Sequence, residues 1–117
     1  GHAIEVRIYA EDPVKFFPSP GPLKVFRPPQ GRGIRVETGF AEGAVVTPHY
    51  DPTVALVIAR GETREEAMDL MYDALGDFAV EGIKTNIPFV RGMMKFGPFR
   101  EGKVHTGLAE AYFKSQA

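Results

Sequence analysis

Arg7 is the charged side chain whose place in the sequence most readily suits the binding of a ligand. Ile4, Val6 and Ile8 alternate with polar residues at the period of two that is typical of a half-buried strand. Arg7 therefore belongs to the opposite face and is predicted to project away from the core. There its permanent charge could meet a ligand, or it could pair with Glu5 as a surface ion pair of little energetic value. The sequence pattern leaves both interpretations open.

Two further polar segments could contribute to a site. Tyr50-Asp51-Pro52 immediately precedes the most hydrophobic segment of the chain, and Lys84-Thr85-Asn86 follows a predicted helix. Each segment also has a purely structural interpretation. An aspartate before proline is typical of a turn, and Thr85 or Asn86 can cap the start of a second helix. Neither segment is by itself evidence for catalysis.

Common catalytic and nucleotide-binding motifs are missing from the sequence. The chain has no P-loop, no nucleophile elbow and no HExxH motif. His2, His49 and His105 lack acidic neighbours at metal-ligand spacing, so no metal site is predicted. Gly31 and Gly33 form too short a pattern for a dinucleotide fingerprint, and they precede a strand, whereas such loops precede a helix.

Basic and aromatic residues interleave in one stretch of the chain. They are Lys24, Phe26, Arg27, Arg32 and Arg35. A small β-barrel that binds nucleic acid would stack such rings on bases and place such arginines on phosphates. The alternative is a solvated strand face. The formal net charge of −1 favours that alternative, because no overall field attracts nucleic acid or an anionic membrane. Neither is therefore predicted as a partner.

Length and composition indicate one ordinary globular domain. The chain has 117 residues, of which 44% are hydrophobic and 25% charged, as expected for one core. It has no cysteine, which excludes disulfides and thiolate zinc sites and fits a cytoplasmic protein. No apolar stretch is long enough to span a bilayer and no signal peptide is recognised. Because the chain begins inside a strand without methionine, we expect it to be a piece of a longer one.

The first half of the chain is predicted to consist of strands and turns. Prolines and glycines at residues 18–22 and 31–33 interrupt short apolar segments. The segment Thr53 to Ala59 is apolar almost throughout and predicts a central strand covered on both faces. Shorter strands are expected at residues 23–26, 34–38 and 45–46.

The second half is predicted to be helical. Thr63 and Glu66 form a capping-box pattern, and Gly82 is expected to end this first helix in a left-handed turn. A second helix tolerates Pro88 in its first turn, and a last short helix is expected over residues 108–113. The buried stripe of the first helix is predicted to be Ala67, Leu70, Met71, Ala74, Leu75 and Phe78. The predicted fold is α+β, an antiparallel, turn-rich β-sheet with C-terminal helices packed on it.

Six segments of the chain form an ordered set of motifs. They are HAIEVRIYAEDP (2–13), FPSPG (17–21), GIRVE (33–37), YDP (50–52), RE (64–65) and GIKTN (82–86). Taken together, these motifs resemble the C-terminal domain of biotin carboxylases. One tripeptide is unspecific, but six ordered matches over essentially the whole chain are highly specific. The same module occurs in carboxylases that act on acetyl-CoA, propionyl-CoA, methylcrotonyl-CoA, pyruvate and urea, so the motifs do not choose among acceptors.

The resemblance implies a chemistry and a role for Arg7. In this family ATP, with Mg²⁺, and bicarbonate form carboxyphosphate, and the released CO₂ is attacked by a ureido nitrogen of biotin on a carrier protein. Negative charge builds on the ureido oxygen. A guanidinium can form two directed hydrogen bonds to such an oxyanion or to bicarbonate. The family's arginine lies in the strand HA(V/I)ExR, which corresponds here to Arg7, so Arg7 is the expected catalytic residue.

The resemblance assigns roles to three more residues and implies several partners. Asp51 matches a position close to the biotin pocket and is expected to help bind biotin or bicarbonate. Arg35 matches an arginine at the dimer interface, and Leu108 falls near a position that lines the adenine site. The implied partners are the ATP-grasp domain of the same enzyme, a biotin carboxyl carrier protein or domain, and a second copy in a homodimer.

The chain departs from the family pattern at one informative position. The family usually reads YDPMIAKL, whereas residues 50–57 read YDPTVALV, so Leu56 replaces the usual lysine. Any role tied to that lysine is lost. In the family, the nucleotide-binding groups, the metal-binding acids and the general base belong to the ATP-grasp domain, so the isolated chain is expected not to turn over ATP. The alternative function is a non-catalytic interaction or scaffold module that keeps the fold only.

Overall fold

The computed structural model describes residues 1–48 and 51–100, and this part of the chain forms an α+β fold, as predicted. The predicted helix over residues 108–113, Leu108 and Tyr50 lie outside the described residues. The elements are β1 (His2–Tyr9), β2 (Gly21–Pro22), β3 (Val25–Arg27), β4 (Ile34–Glu37), β5 (Val45–Val46), β6 (Thr53–Gly61), α1 (Arg64–Asp77), β7 (Ala79–Glu81), α2 (Ile87–Met93) and α3 (Gly97–Arg100).

The main sheet is antiparallel, with the strand order β1-β6-β4, so the long apolar segment is the central strand, as predicted. Directly paired residues share a face of a sheet. Val6 pairs with Val57 and Ile8 pairs with Ala55, and the helix α1 packs over this inner face. Ile8 and Val57 are fully buried there. Burial of such side chains is the main favourable contribution to folding.

The outer face of the same sheet is only partly covered. Leu56 and Ile58 of β6 point to this face and are half-buried. The prediction that β6 is covered on both faces therefore holds for the inner face and is incomplete for the outer one. Successive side chains of a strand point to opposite faces of its sheet. Because α1 covers the inner face, the alternate side chains of β1, β6 and β4 lie on the outer face, and those of β1 and β4 include polar residues.

The helix α1 begins as the sequence predicts but ends earlier. The Thr63 hydroxyl accepts a hydrogen bond of 3.1 Å from the backbone N–H of Glu66 at its N-terminus. Most of the predicted stripe is buried, whereas Leu70 is only half-buried. Met68, which was outside the predicted stripe, is fully buried. The buried face is thus wider than the predicted one.

The prediction that Gly82 ends α1 is wrong. The helix ends at Asp77, and Phe78 turns into the core with an extended backbone. Its ring meets Phe26 edge to face, with 5.4 Å between the ring centroids. Residues 79–81 then form β7, which pairs with β3. Tertiary pairing and burial of the aromatic ring therefore outweigh continuation of the helix.

Gly82 is required by a close approach of two backbone segments. Its φ is +104°, and a Cβ at this position would collide with the carbonyl oxygen of Pro22. Two residues after Gly82, the backbone N–H of Lys84 donates to the Ser19 hydroxyl at 2.9 Å. The Lys84 ammonium forms an ion pair with Asp12 at 3.3 Å. This turn therefore joins the loops of the first half to the helices of the second.

The predicted basic and aromatic stripe is not a continuous surface. Phe26 is buried against Phe78, so its face is not open to a base. Arg27 lies on β3, which belongs to a different sheet from Arg35 on β4, and it pairs with Glu42 at 3.2 Å. This arrangement does not support the nucleic-acid interpretation.

Substitution of Gly82 tests the close approach. Gly82→Ala should lower the free energy of unfolding by more than about 2 kcal/mol, because it adds a backbone clash to an unfavourable φ. Gly43→Ala is the matched control, since Gly43 also has a positive φ (+89°) but open space around its Cβ position. It should cost about 1 kcal/mol. Urea unfolding of both variants measures the difference, and equal losses would contradict the clash.

Candidate functional site

Arg7 and Asp51 lie together at one open depression on the surface. The depression has a volume of about 390 Å³ and is lined by six residues. It lies where the C-terminal end of β1 meets the start of β6. The lining residues are Arg7, Tyr9, Glu11, Asp51, Pro52 and Thr53.

A shift in the strand register brings the two segments together. Arg7 pairs with Leu56 and Ile8 with Ala55, but Tyr9 pairs with Thr53, so β6 contains one extra residue at Val54. A bulge of this kind bends a strand and redirects side chains. The pairing then continues beyond the strand, because the N–H of Ala10 donates to the carbonyl of Pro52 at 2.9 Å. Asp51 consequently lies beside the end of β1.

Arg7 projects from the outer face of the sheet, as predicted. Its side chain is exposed, whereas Val6 and Ile8 on either side contribute to the inner face. Among residues 1–48 and 51–100, no carboxylate forms an ion pair with Arg7, so the alternative of an Arg7–Glu5 pair has no support. The guanidinium keeps its donors available at the depression.

Asp51 presents a carboxylate to the same depression. Hydrogen bonds from Thr53, both from its side chain and from its main chain, hold the pKa of Asp51 below its ordinary value of 3.8, and the Arg7 guanidinium lowers the pKa further. The main-chain bond from the Thr53 N–H measures 2.8 Å. Asp51 is therefore ionised at neutral pH, and a cation and an anion stand next to each other in the depression.

Glu11 is a lining residue to which the sequence analysis gave no role in a site. Partial burial raises the pKa of its carboxyl. Glu11 is held by its N–H, which donates to the carbonyl of Tyr9 at 3.0 Å, and by a bridge to Pro18. Continued alternation from Arg7 through Tyr9 to Glu11 was the available signal for its place in the depression.

Thr85 or Asn86 was predicted to cap the second helix; the hydroxyl of Thr85 does so, and the side chain of Asn86 contacts β1 instead. Asn86 occupies the position before α2, where the hydroxyl of Thr85 accepts the N–H of Ile87 at 3.3 Å. The carboxamide of Asn86 accepts the N–H of Tyr9 at 2.7 Å and donates to the carbonyl of Arg7 at 3.0 Å. A weak signal for this contact was present in the sequence, because Thr85 and Asn86 are both able to cap the same helix.

Arg35 lies away from the depression, on the outer face of the same sheet. It is 73% exposed and pairs with Glu37 of its own strand at 2.7 Å. Leu56 lies on this face between Arg7 on one side and Glu37 on the other, since both pair with it. The residue that replaces the usual lysine is thus the cross-strand neighbour of Arg7.

The described residues offer no cluster of three or more histidine, cysteine, aspartate or glutamate side chains that could hold a metal ion. Leu108, which the resemblance assigns to the adenine site, lies outside the part of the chain that the structure describes. Among the described helices, none has both the length and the apolar character needed to cross a membrane.

Comparison with known proteins identifies the family. Residues 5–111 match the family model of the biotin carboxylase C-terminal domain. The chain is 50% identical over 114 residues to a biotin carboxylase of Halalkalibacterium halodurans, covering 97% of this chain and 25% of that protein. It is 51% identical over 112 residues to biotin carboxylase 2 of Bacillus subtilis, covering 96% and 25%. The chain belongs to the biotin carboxylase C-terminal domain family.

A solved structure supports the same assignment. The biotin carboxylase domain dimer of 2-oxoglutarate carboxylase from Hydrogenobacter thermophilus, in complex with MgADP, ADP and bicarbonate, superposes with a TM-score of 0.90 at 41% identity. The match covers 94% of this chain and 24% of that one. The chain therefore spans about a quarter of the length of each of these three proteins.

The pH dependence of stability tests the electrostatics of Asp51. Because the pKa of Asp51 is lower in the folded state than its ordinary 3.8, ionised Asp51 stabilises the fold above that pH. The contribution is lost as the pH falls through the folded-state pKa. Urea unfolding between about pH 6 and about pH 3 should therefore show a shallower loss of stability for Asp51→Asn than for the unchanged chain.

Asp12→Asn provides the matched control for this experiment. Hydrogen bonds from the N–H groups of Lys15 and Val14 lower the pKa of Asp12, and Lys84 contributes as well. This variant should flatten the same pH profile. Adding Arg7→Ala should change the profile further in the Asp12→Asn background, where Asp51 is still present, and should leave the profile of Asp51→Asn unchanged. Parallel profiles for Asp51→Asn and the unchanged chain would contradict the assignment.

Proposed function

We propose that this chain forms one wall of the active site of an enzyme that carboxylates carrier-bound biotin with ATP and bicarbonate. The observation that carries the proposal is the exposed Arg7 guanidinium, beside Asp51 and free of any ion pair in the described part of the chain. Membership of the family and likeness to a bicarbonate-bound biotin carboxylase domain support it.

Arg7 is suited to hold an anion. Its guanidinium is charged at every working pH and presents paired N–H donors in one plane, which match bicarbonate or a developing oxyanion. Such a donor accelerates a reaction when it is already aimed at the place where charge develops. Biotin, when bound, supplies the ureido nitrogen that receives the carboxyl group. Arg7 would bind the neighbouring oxygen and stabilise its charge.

Asp51 complements Arg7 in this proposal. Its carboxylate is ionised at neutral pH and can accept a hydrogen bond from an N–H group of the ligand. It also supplies the opposite charge that keeps the guanidinium near the depression without engaging it in an ion pair. The pair thus offers both a donor set and an acceptor to a polar, planar ligand.

We assign the binding of ATP and Mg²⁺ to the rest of the enzyme. The described residues contain no acidic cluster that fits a metal ion. The chain also spans only about a quarter of the length of the two biotin carboxylases named above. An ATP-grasp domain of the same enzyme would supply those groups, with Leu108 near the adenine. A biotin carboxyl carrier protein or domain would deliver biotin to the open side of the depression.

We further propose that Arg35 faces a second copy in a homodimer. Arg35 and Glu37 form an exposed pair of opposite charges on the outer face of the sheet, beside the half-buried Leu56 and Ile58. An apolar centre with charged neighbours is suited to a subunit interface. The likeness to a biotin carboxylase domain dimer supports this use of the face.

Arg7→Ala tests the proposed catalytic role in the enzyme that contains this chain. It should lower the rate of biotin carboxylation by about 10²–10³-fold, as expected for the loss of one preorganised oxyanion donor. Nucleotide binding and the thermal midpoint should change little, because Arg7 is exposed. Arg7→Lys should restore only part of the rate, since an ammonium lacks the planar pair of donors.

The matched control for Arg7 is Arg27→Ala. Arg27 is also an exposed strand arginine, but it lies on β3 and pairs with Glu42. Steady-state kinetics of Arg27→Ala should match those of the unchanged enzyme. If Arg7→Ala carboxylates biotin at the unchanged rate, the chain has a scaffold function and the catalytic proposal is wrong.

Arg35→Glu tests the proposed interface. Placing a second negative charge beside Glu37 should weaken the dimer of the intact enzyme by about tenfold or more, because like charges at an interface cost several kcal/mol. Analytical ultracentrifugation over a range of concentrations measures the effect. Arg27→Glu, an equally exposed charge reversal on another sheet, should leave sedimentation unchanged. Unchanged sedimentation of Arg35→Glu would remove Arg35 from the interface.

A further inference from the structure

The backbone around Arg7 lies at an edge of the sheet. Among the described strands, β6 is the partner of β1 on one side, and β1 is terminal in the order β1-β6-β4. The register shifts between Ile8 and Tyr9, directly after Arg7. An edge strand beside a bulge has fewer ladder bonds to fix its peptide planes. The backbone at Arg7 therefore needs further hydrogen bonds if the Arg7 side chain is to keep one direction.

Asn86 supplies that order through three hydrogen bonds. Its side-chain N–H donates to the carbonyl of Arg7 at 3.0 Å, and its side-chain oxygen accepts the N–H of Tyr9 at 2.7 Å. Its own main-chain N–H donates to the carbonyl of Tyr9 at 3.2 Å. A carboxamide carries the same donor and acceptor as a peptide group. Asn86 therefore pairs with the edge of β1 that does not face β6, as the backbone of a neighbouring strand would.

These bonds are strong enough to matter for geometry. Asn86 is only 4% exposed, so water competes little for its donor and acceptor. The residue is itself fixed at the start of α2, where its carbonyl accepts the N–H of Val90 at 3.0 Å. Thr85 satisfies the N–H of Ile87, which leaves the carboxamide of Asn86 for β1. The hydrogen bonds of Asn86 thus connect the start of α2 to β1, the strand that carries Arg7.

We infer that Asn86 is a positioning residue for Arg7. It contacts the peptide groups on both sides of Ile8 and so fixes the backbone from which the guanidinium reaches the depression. The inference rests on the proposed function of Arg7 and adds to it a buried residue distant in sequence. A displacement of about 1 Å at a reacting group can cost about 10²-fold in rate, so a loose strand end would weaken catalysis.

A double-mutant cycle in the enzyme that contains this chain tests the inference. The rate measured is ATP-dependent carboxylation of free biotin, beside bicarbonate-dependent ATP hydrolysis without biotin. Asn86→Ala should lower carboxylation by roughly 10–100-fold when Arg7 is present. In the Arg7→Ala background it should change carboxylation less than about twofold, because residues that act through one another are not additive. ATP hydrolysis without biotin should change little.

Thr85→Ala is the matched control. Thr85 is 8% exposed and adjacent in sequence, and its hydroxyl accepts the N–H of Ile87 in α2. Removal of the Thr85 hydroxyl should lower the thermal midpoint. The carboxylation rate should stay within about twofold of that of the unchanged enzyme when both are assayed well below their thermal midpoints. If Asn86→Ala cannot be purified folded, Asn86→Asp takes its place in the cycle. Aspartate has the same shape but loses the donor to the Arg7 carbonyl.

Hydrogen exchange of the Tyr9 amide gives a readout independent of activity. Exchange should accelerate in Asn86→Ala and stay unchanged in Thr85→Ala, because the Tyr9 N–H donates to the side chain of Asn86. Equal rate losses from Asn86→Ala with and without Arg7, or no loss at all, would overturn the inference and leave the proposed function intact. An unchanged rate for Arg7→Ala would overturn the proposed function first, and the inference with it.

Discussion

The antiparallel pairing of β1 with β6 is the interaction on which the rest of the structure depends. On the inner face it stacks Val6 on Val57 and Ile8 on Ala55 beneath α1, which buries the apolar surface that stabilises the fold. On the outer face the same register places Arg7 beside Leu56, and its shift at Tyr9 brings Asp51 to the end of β1. A change of register by one residue would exchange the two faces and remove both the core and the site.

The turn over residues 82–86 joins the parts of the molecule that the sheet does not connect. Gly82 permits close contact with Pro22, Lys84 bonds to Ser19 and Asp12, and Asn86 pairs with β1. All of these contacts link residues more than fifty positions apart. Contacts between residues so far apart in sequence close long loops and depend on the remainder of the fold. The strand that carries Arg7 is thereby coupled to the start of α2.

Exposure and pairing separate the arginines by function. Arg64 bonds to the carbonyls of Phe99 and Arg100 at the end of α3, and Arg91 lies over the ring of Tyr72 and bonds to its carbonyl. These guanidinium groups hold helices together. Arg7 instead faces an open depression with its donors available. A guanidinium thus contributes to packing where its donors are satisfied and keeps its donors available at the surface where they are not.

The sequence by itself determined the α+β class, the central strand, the start of α1 and the direction of Arg7, because these follow from local periodicity and capping. Only the tertiary structure ended α1 at Asp77, since Phe78 packs on Phe26 and β7 pairs with β3. It also placed Glu11 in the depression and paired the side chain of Asn86, one of two candidate helix caps, with β1. Those outcomes depend on long-range pairing, and a residue's distant hydrogen-bond partners cannot be read from its neighbours in the chain.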